Sequence, residues 1–178
     1  YFNMILCVQS LIENLDVTDE ELKKTVQIEN ADILIDLKKQ NKPIILISAH
    51  YGNIEMLSCY INRFVIPLHQ VARESNFAEI DNFIIKAREV SGSKIIFRSG
   101  ALKKLVKAMM KNETISLLID QNINSKEGEE VEFLGKKAYQ TSSSASLARK
   151  FDAYIVPLAI FNQDDYTYKI KIYEPIIP

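Results

Sequence analysis

The sequence predicts an α/β fold in which a central, largely parallel or mixed sheet is flanked by helices. Short apolar runs rich in β-branched residues recur along the chain and end at polar residues, which is the pattern of buried strands. Segments with apolar residues at helical spacing separate these runs, and such alternation is typical of sheets built from βαβ units. With 178 residues, 47% hydrophobic and 25% charged, we expect one globular domain spanning residues 1–178.

The first half of the chain is predicted to contain two helical stretches, followed by the first strands of the sheet. Apolar residues recur at helical spacing from Tyr1 to Leu15, and a second helical stretch follows near residues 19–40. The continuous apolar run at 43–48 predicts the first buried strand. The next predicted elements are a helix at 53–62, a strand that ends near Val71 and a helix at 77–91.

The second half of the chain continues the alternation of strands and helices. The predicted elements are a strand at 94–97, a basic helix at 100–111, a buried strand at 114–119, a polar loop at 121–129, a short strand at 130–133, a helix at 142–151 and strands at 153–161 and 166–174.

Residues 48–56, SAHYGNIEM, place one of the two histidines between the first buried strand and the following helix. Gly52 permits a tight backbone path there, and Asn53 is a candidate N-cap. His50 then lies at the carboxyl end of a strand, where ligands bind in open α/β sheets. Glu55, five positions later, meets His50 only from the first helical turn, where it could orient the imidazole as a general base. The alternative is that His50 merely closes the strand while Glu55 faces water.

Composition argues against several other kinds of site. A net charge of −1 gives no overall electrostatic basis for binding nucleic acid. His50 and His69 are the only imidazoles and no H-E-x-x-H spacing occurs, so no metal site is predicted. Cys7 and Cys59 form no C-x-x-C pair and are expected to be small core residues. No apolar run approaches the ~18 to 20 residues that cross a bilayer.

Polar side chains also follow two other predicted strands. Arg73 and Asn76 come after the strand that ends near Val71, and Asp120 and Gln121 come after the strand at 114–119. Arg73 is a candidate to stabilise an oxyanion or to bind a phosphate, or it is a surface arginine in an ion pair. Asp120 either binds substrate or organises its loop through backbone hydrogen bonds.

These blocks, in this order, resemble the late acyltransferases of lipid A biosynthesis, of the lauroyl or myristoyl type, in the lysophospholipid acyltransferase superfamily. SAHYGNIE is similar to the family's H-x-G-N-x-E block and to the H-x4-D/E motif of the superfamily. Further matches are R-x-x-N at Arg73 and Asn76, R-x-x-x-G at Arg88 and Gly92, D-Q at Asp120 and Gln121, and an F-F-G-like stretch at Phe133, Leu134 and Gly135 followed by Thr141. The matches run from about residue 43 to 160.

The resemblance implies transfer of a fatty acyl chain from an acyl carrier protein thioester to a hydroxyl of a lipid A precursor. It implies a fold like that of glycerol-3-phosphate acyltransferases, with His50 as base and Glu55 as its orienting carboxylate. Arg73 and the backbone at Gly52 are then candidates for oxyanion or phosphate binding. No cofactor is implied beyond the phosphopantetheine of the donor. The substrate-binding candidates are Asn53, Asn76, Arg88, Asp120 and Gln121.

The resemblance also implies a location at the cytoplasmic face of the inner membrane. Family members usually carry an N-terminal hydrophobic anchor and a longer C-terminal segment, so we expect this chain to be a catalytic core without them. Two alternatives stay open. One is an acyltransferase of the same superfamily with a glycerophospholipid or other glycolipid acceptor. The other is a noncatalytic lipid-binding scaffold.

A local basic segment suggests a partner surface within a nearly neutral chain. Such a patch could receive the acidic acyl carrier protein or the anionic headgroups of a membrane surface. The alternative is an ordinary solvated helix face. The basic residues are Lys94, Arg98, Lys103, Lys104, Lys107 and Lys111.

Overall fold

The computed structural model describes residues 2–126 and 128–177, and the side chains from residue 5 onward. The helices are α1 (Phe2–Glu13), α2 (Asp19–Thr25), α3 (Ala31–Lys39), α4 (Ile54–Phe64), α5 (Ala78–Glu89), α6 (Ala101–Met109) and α7 (Ser143–Phe151). The strands are β1 (Val26–Glu29), β2 (Ile44–Ser48), β3 (Leu68–Ala72), β4 (Lys94–Phe97), β5 (Thr114–Leu118), β6 (Glu129–Phe133), β7 (Lys136–Gln140), β8 (Tyr154–Asn162) and β9 (Tyr168–Ile172).

Seven of these strands form one mixed sheet in the order β1-β9-β8-β2-β5-β3-β4. The central strands β8, β2, β5, β3 and β4 are parallel, and β9 joins β8 in antiparallel orientation. The predicted fold class, a largely parallel or mixed sheet flanked by helices, is therefore confirmed. Because β2, β5, β3, β4 and β8 run the same way, their carboxyl ends share one edge of the sheet, which we call the carboxyl edge.

The apolar core lies on both faces of this sheet. Successive side chains of a strand point to opposite faces, so β2 sends Leu46 to one side and Ile45 to the other. Leu46 belongs to a buried cluster with Ile61 of α4, and Ile45 belongs to a second cluster with Leu105 of α6 and Leu147 of α7. A strand buried on both faces needs apolar residues at every position, which explains the continuous run in β2.

The region predicted as one helical stretch near 19–40 contains two helices with a strand between them. A capping box at Thr18 begins α2: the Glu21 N–H donates to Thr18 Oγ1 at 3.3 Å, and the Thr18 N–H donates to Glu21 Oε2 at 2.9 Å. β1 then pairs in parallel with β9, and its Val26 is buried. That pairing partner lies far along the chain, so local helical spacing did not reveal it.

The second correction is the strand β7, which the sequence analysis placed in no element. It pairs with β6 as an antiparallel hairpin through a two-residue turn of Leu134 and Gly135, both at positive φ. The hairpin begins near the carboxyl edge, where the Gln140 side chain at its base donates to the Ile119 carbonyl at 3.0 Å. In the described part of the chain, no helix has the length and hydropathy needed to cross a membrane.

Candidate functional site

Two neighbouring strands bring His50 and Asp120 together at the carboxyl edge. β2 and β5 pair in parallel with Ser48 opposite Leu118. The backbone pairing continues one residue further, because the Ile119 N–H donates to the Ser48 carbonyl at 3.1 Å. His50 and Asp120 each follow their strand by two residues, so the register of the strands places them side by side.

The Asp120 carboxylate binds His50 at two points. Its Oδ2 accepts the His50 backbone N–H at 2.9 Å, and its Oδ1 lies 2.7 Å from His50 Nδ1. Burial raises the pKa of Asp120, but the hydrogen bonds from the His50 ring and backbone outweigh it and hold that pKa below its ordinary value. An ionised Asp120 favours the tautomer with the proton on Nδ1, which leaves Nε2 as the proton acceptor. Among the described residues, Nε2 has no hydrogen-bond partner.

The predicted partner of His50, Glu55, points elsewhere. Its buried carboxylate forms a two-point ion pair with Arg88 of α5, with Nη2 to Oε1 at 2.6 Å and Nε to Oε2 at 2.9 Å. The structure thus differs from the prediction that Glu55 orients the imidazole, because a planar guanidinium on α5 matches the carboxylate in two bonds. Arg88, predicted as a substrate-binding candidate, gives its Nε and Nη2 to this pair and also lines a cavity beside His50.

The loop between β2 and α4 is shaped by a glycine and an asparagine. Gly52 has φ +66°, and a Cβ there would lie 2.3 Å from the Ile160 carbonyl oxygen of β8, so only glycine fits. Asn53 caps α4 by accepting the Met56 N–H at 3.1 Å, as predicted. Its amide also donates to Ser10 at 2.8 Å and Tyr168 at 3.1 Å. Asn53 is fully buried, so we assign it a structural role in place of the predicted substrate contact.

A large apolar cavity lies on one side of His50. It has a volume of about 600 Å³, lies between the sheet and the β6-β7 hairpin, and is open to solvent. Tyr51, which follows His50 in the sequence, and Asp120, which binds it, both line this cavity. Gln121, a predicted substrate-binding residue, lines it as well. The hairpin and sheet residues that line it are mostly apolar, and they include Ile47, Ile119, Val131, Phe133, Ala138, Pro157 and Ala159.

A smaller cavity lies on the other side of His50. It has a volume of about 190 Å³ and is lined by His50, Arg73, Asp81 and Arg88 among others. Arg73 follows β3 at the carboxyl edge and is exposed, so its guanidinium is available at this opening. The structure therefore brings Arg73 together with His50, while the exposed Asn76 lies outside both cavities.

The two cysteines are not placed for nucleophilic chemistry. Both are free thiols, Cys59 buried within α4 and Cys7 partly buried in α1. Burial raises the pKa of both thiols, to about 11 for Cys59. Among residues 2–126 and 128–177, no group of three His, Cys, Asp or Glu side chains is placed to hold a metal ion.

Comparison with known proteins agrees with the resemblance found in the sequence. A family model described as bacterial lipid A biosynthesis acyltransferase matches residues 1–177, which confirms the predicted family. No curated protein matches the chain. The matched range includes His50, Arg73, Arg88 and Asp120.

We predict that Arg88→Ala lowers the free energy of unfolding by about 3 to 5 kcal/mol, because it leaves the buried Glu55 carboxylate without its partner. Urea denaturation would measure the loss. Lys39→Ala is the control: Lys39 pairs with Asp36 on the surface, so its loss should cost less than about 1 kcal/mol. A similar small loss for Arg88→Ala would contradict a structural role for this ion pair.

Proposed function

This chain belongs to the bacterial lipid A biosynthesis acyltransferase family, and we propose that it moves a fatty acyl chain from an acyl carrier protein thioester to a hydroxyl of a lipid A precursor. The observation that carries this proposal is the position of His50. Its ring is held by Asp120 at the border between a cavity suited to an acyl chain and a smaller cavity beside an arginine.

In the proposed step, His50 Nε2 takes the proton of the acceptor hydroxyl while that oxygen attacks the thioester carbonyl carbon. The carbonyl electron pair moves onto its oxygen and forms a tetrahedral oxyanion. Collapse of this intermediate breaks the carbon–sulfur bond, and the imidazolium returns the proton to the departing phosphopantetheine sulfur. The ester and the free thiol are the products, and no cofactor is required beyond the donor's own phosphopantetheine.

Asp120 supports this step by holding the ring and stabilising the imidazolium as it forms. Glu55 acts at a distance in this proposal, since its pair with Arg88 fixes the first turn of α4 directly after the His50 loop. Direct attack by the acceptor is favoured over an acyl-enzyme, because burial keeps Cys59 protonated.

The larger cavity fits the acyl chain of the donor. Its volume of about 600 Å³ falls within the range of roughly 300 to 1,000 Å³ that is typical of small-molecule sites, and its lining is mainly apolar. A chain lying there would bring its thioester to the mouth beside Asp120 and Tyr51. The hairpin side chains at the far wall would then limit the length of chain that enters.

The smaller cavity fits the acceptor side of the reaction. Arg73 offers a planar, permanently charged donor that suits either the oxyanion or a phosphate of the glycolipid. Backbone N–H groups near Gly52 are further candidates for the oxyanion. The acceptor implied by the family is a membrane lipid, so we place the chain at the cytoplasmic face of the inner membrane, with the membrane surface and acyl carrier protein as partners.

The first test removes the base and its orienting carboxylate. We expect His50→Ala and Asp120→Asn to lower kcat at least about a hundredfold, because one loses the proton acceptor and the other the correct tautomer. The assay follows product lipids by mass spectrometry with acyl carrier protein thioesters and a Kdo-bearing lipid A precursor. Offering glycerophospholipid acceptors in parallel identifies the acceptor class.

The chain offers a matched control for this experiment. His69 and Glu113 form a second histidine–carboxylate pair, with Nε2 to Oε2 at 2.9 Å, at the opposite edge of the sheet. His69→Ala and Glu113→Gln should leave kcat within about twofold of the unaltered chain. Near-normal turnover in folded His50→Ala and Asp120→Asn variants would overturn the proposed mechanism.

The second test concerns acyl-chain length. Ala138→Leu adds bulk to the hairpin wall of the larger cavity, so we expect kcat/KM to fall for long acyl donors and to hold for donors shorter by two to four carbons. A series of acyl carrier protein thioesters measures the profile. Glu132→Leu, on the exposed outer face of the same hairpin, should leave the profile unchanged. An unchanged profile in Ala138→Leu would remove the acyl chain from this cavity.

The third test concerns the donor protein. Lys103, Lys104 and Lys107 are exposed on α6, and an acidic carrier protein would be attracted to them. Replacing all three by glutamate should raise the KM for the acyl carrier protein thioester several-fold with little change in kcat. The same replacement should not change the rate with a small thioester that lacks the carrier protein. An unaltered KM for the carrier-bound donor would exclude this surface as its docking site.

A further inference from the structure

One polar residue lies in the middle of a central strand of the sheet. Ser116 is the third residue of β5, and it stands opposite Leu46 of β2 and Gln70 of β3. Leu46 belongs to the buried cluster that includes Ile61 of α4, so Ser116, on the same face of the sheet, is turned towards that helix. Central strands of parallel sheets are ordinarily apolar throughout, so a serine there requires a partner for its hydroxyl.

A small cavity, which we call the interior cavity, lies between this face of the sheet and helices α4 and α5. Its volume is about 50 Å³. Its apolar lining includes Leu46, Leu57 and Leu68. A cavity of this size with several polar groups in its lining is suited to water rather than to an apolar molecule. The polar residues of the lining come from five elements and are Ser48, Glu55, Ser58, Gln70, Arg88 and Ser116.

Several of these polar groups have hydrogen-bonding capacity that the protein does not use. In the described part of the chain, the hydroxyls of Ser48, Ser58 and Ser116 have no hydrogen-bond partner. Gln70 is only 8% exposed, and its amide donates to Ser93 at 2.8 Å, while no described residue donates to its Oε1. Polar groups in such a position cost free energy unless water reaches them.

The chemistry of the lining indicates what the interior cavity binds. Serine hydroxyls both donate and accept, whereas Gln70 Oε1 and the Glu55 carboxylate only accept. Each Glu55 oxygen takes one bond from Arg88 and keeps capacity for a second. A small neutral molecule that both donates and accepts satisfies this set. The Arg88 guanidinium in the same lining would repel a cation.

The interior cavity adjoins both cavities beside His50. It shares Ser48 and Leu158 with the larger cavity. It shares Ile54 and Arg88 with the smaller cavity. The same walls would therefore contact bound water on one side and, under the proposed function, substrate on the other.

We propose that the interior cavity holds about two ordered waters, at the ~30 Å³ that a water occupies in the liquid, and that they bridge the serines of β2 and β5 to the first turns of α4. Ser48 precedes the His50 loop and Glu55 follows it, so the bridge joins the two ends of that loop. This inference rests on the proposed function, in which His50 is the base. The waters support the position of the imidazole, and Ser116 is a positioning residue that acts through them.

The first experiment counts the bound waters. Magnetic relaxation dispersion of water detects molecules that stay bound for longer than the protein takes to tumble. We expect Ser116→Val to lose a signal of about two waters, because its methyl groups replace the hydroxyl and occupy the cavity. No loss in Ser116→Val would overturn the proposal.

The same strand offers a matched control for this count. Thr114 lies two residues before Ser116, is 1% exposed and has a buried Oγ1 without a hydrogen-bond partner among the described residues. It does not line the interior cavity. Thr114→Val should therefore leave the water signal unchanged, and a loss equal to that of Ser116→Val would contradict the proposed site.

The second experiment separates the hydroxyl of residue 116 from its size. Threonine and valine have nearly the same shape, but only Ser116→Thr keeps a hydroxyl. We expect Ser116→Thr to retain most of the kcat, and Ser116→Val to lose at least about fivefold because the base is less well placed. The KM for the acyl donor should stay within about twofold in both, since neither change touches the donor's site. Thr114→Val makes the same hydroxyl-to-methyl change and should leave kcat within about twofold. Equal kcat in Ser116→Thr and Ser116→Val would reject the positioning role.

A crystal structure of the unaltered chain tests the site without any substitution. Ordered water oxygens should lie within hydrogen-bond distance of Ser116 and of Glu55, and an interior cavity without them would overturn the inference even if Ser116→Val failed to fold. The count of waters does not depend on turnover. Bound waters in a chain without acyltransferase activity would overturn the proposed function alone, and an active chain without bound water there would overturn this inference alone.

Discussion

The two hydrogen bonds between His50 and Asp120 depend on the parallel register of β2 and β5. Both strands end at the same height, and the Ile119 N–H continues the ladder to the Ser48 carbonyl at 3.1 Å. A slip of one residue would turn the side chains to the other face and separate the two groups. The apolar core on both sides of β2 resists such a slip. Core packing and site geometry are therefore set by the same register.

The buried pair of Glu55 and Arg88 fixes the helices around this site. It joins the first turn of α4 to α5 by two short hydrogen bonds, with the Glu55 side chain 7% exposed and that of Arg88 17%. Isolated charges would be costly in this position, so each requires the other. α5 begins directly after the loop that carries Arg73. The pair thus links the loop that carries His50 to the loop that carries Arg73.

The sequence was informative where the signal was local. The apolar run at 43–48 located β2, the Asn53 cap located α4, and the strand ends located His50, Arg73 and Asp120. The sequence was uninformative where a contact or a strand pairing depended on residues far apart in the chain. The H-x4-E spacing favoured Glu55 as the partner of His50, yet the geometry of the fold assigns that place to Asp120, 70 residues along the chain. β1 and β7 were missed because their pairing, rather than their local pattern, defines them.

The segment after Asp120 connects the larger cavity to the imidazole. The Ile123 N–H donates to the Tyr139 carbonyl at 2.9 Å, and the Tyr139 N–H donates to Asn122 Oδ1 at 2.8 Å. Gln140 Nε2 also donates to the Ile119 carbonyl at 3.0 Å. These bonds fasten β7, one wall of the cavity, to the residues on either side of Asp120. The carboxylate that orients His50 and the wall that would contact an acyl chain are therefore held by one short loop. A change that shifts the hairpin would shift the imidazole with it, so under the proposed function the selection of acyl-chain length and the efficiency of proton transfer would change together.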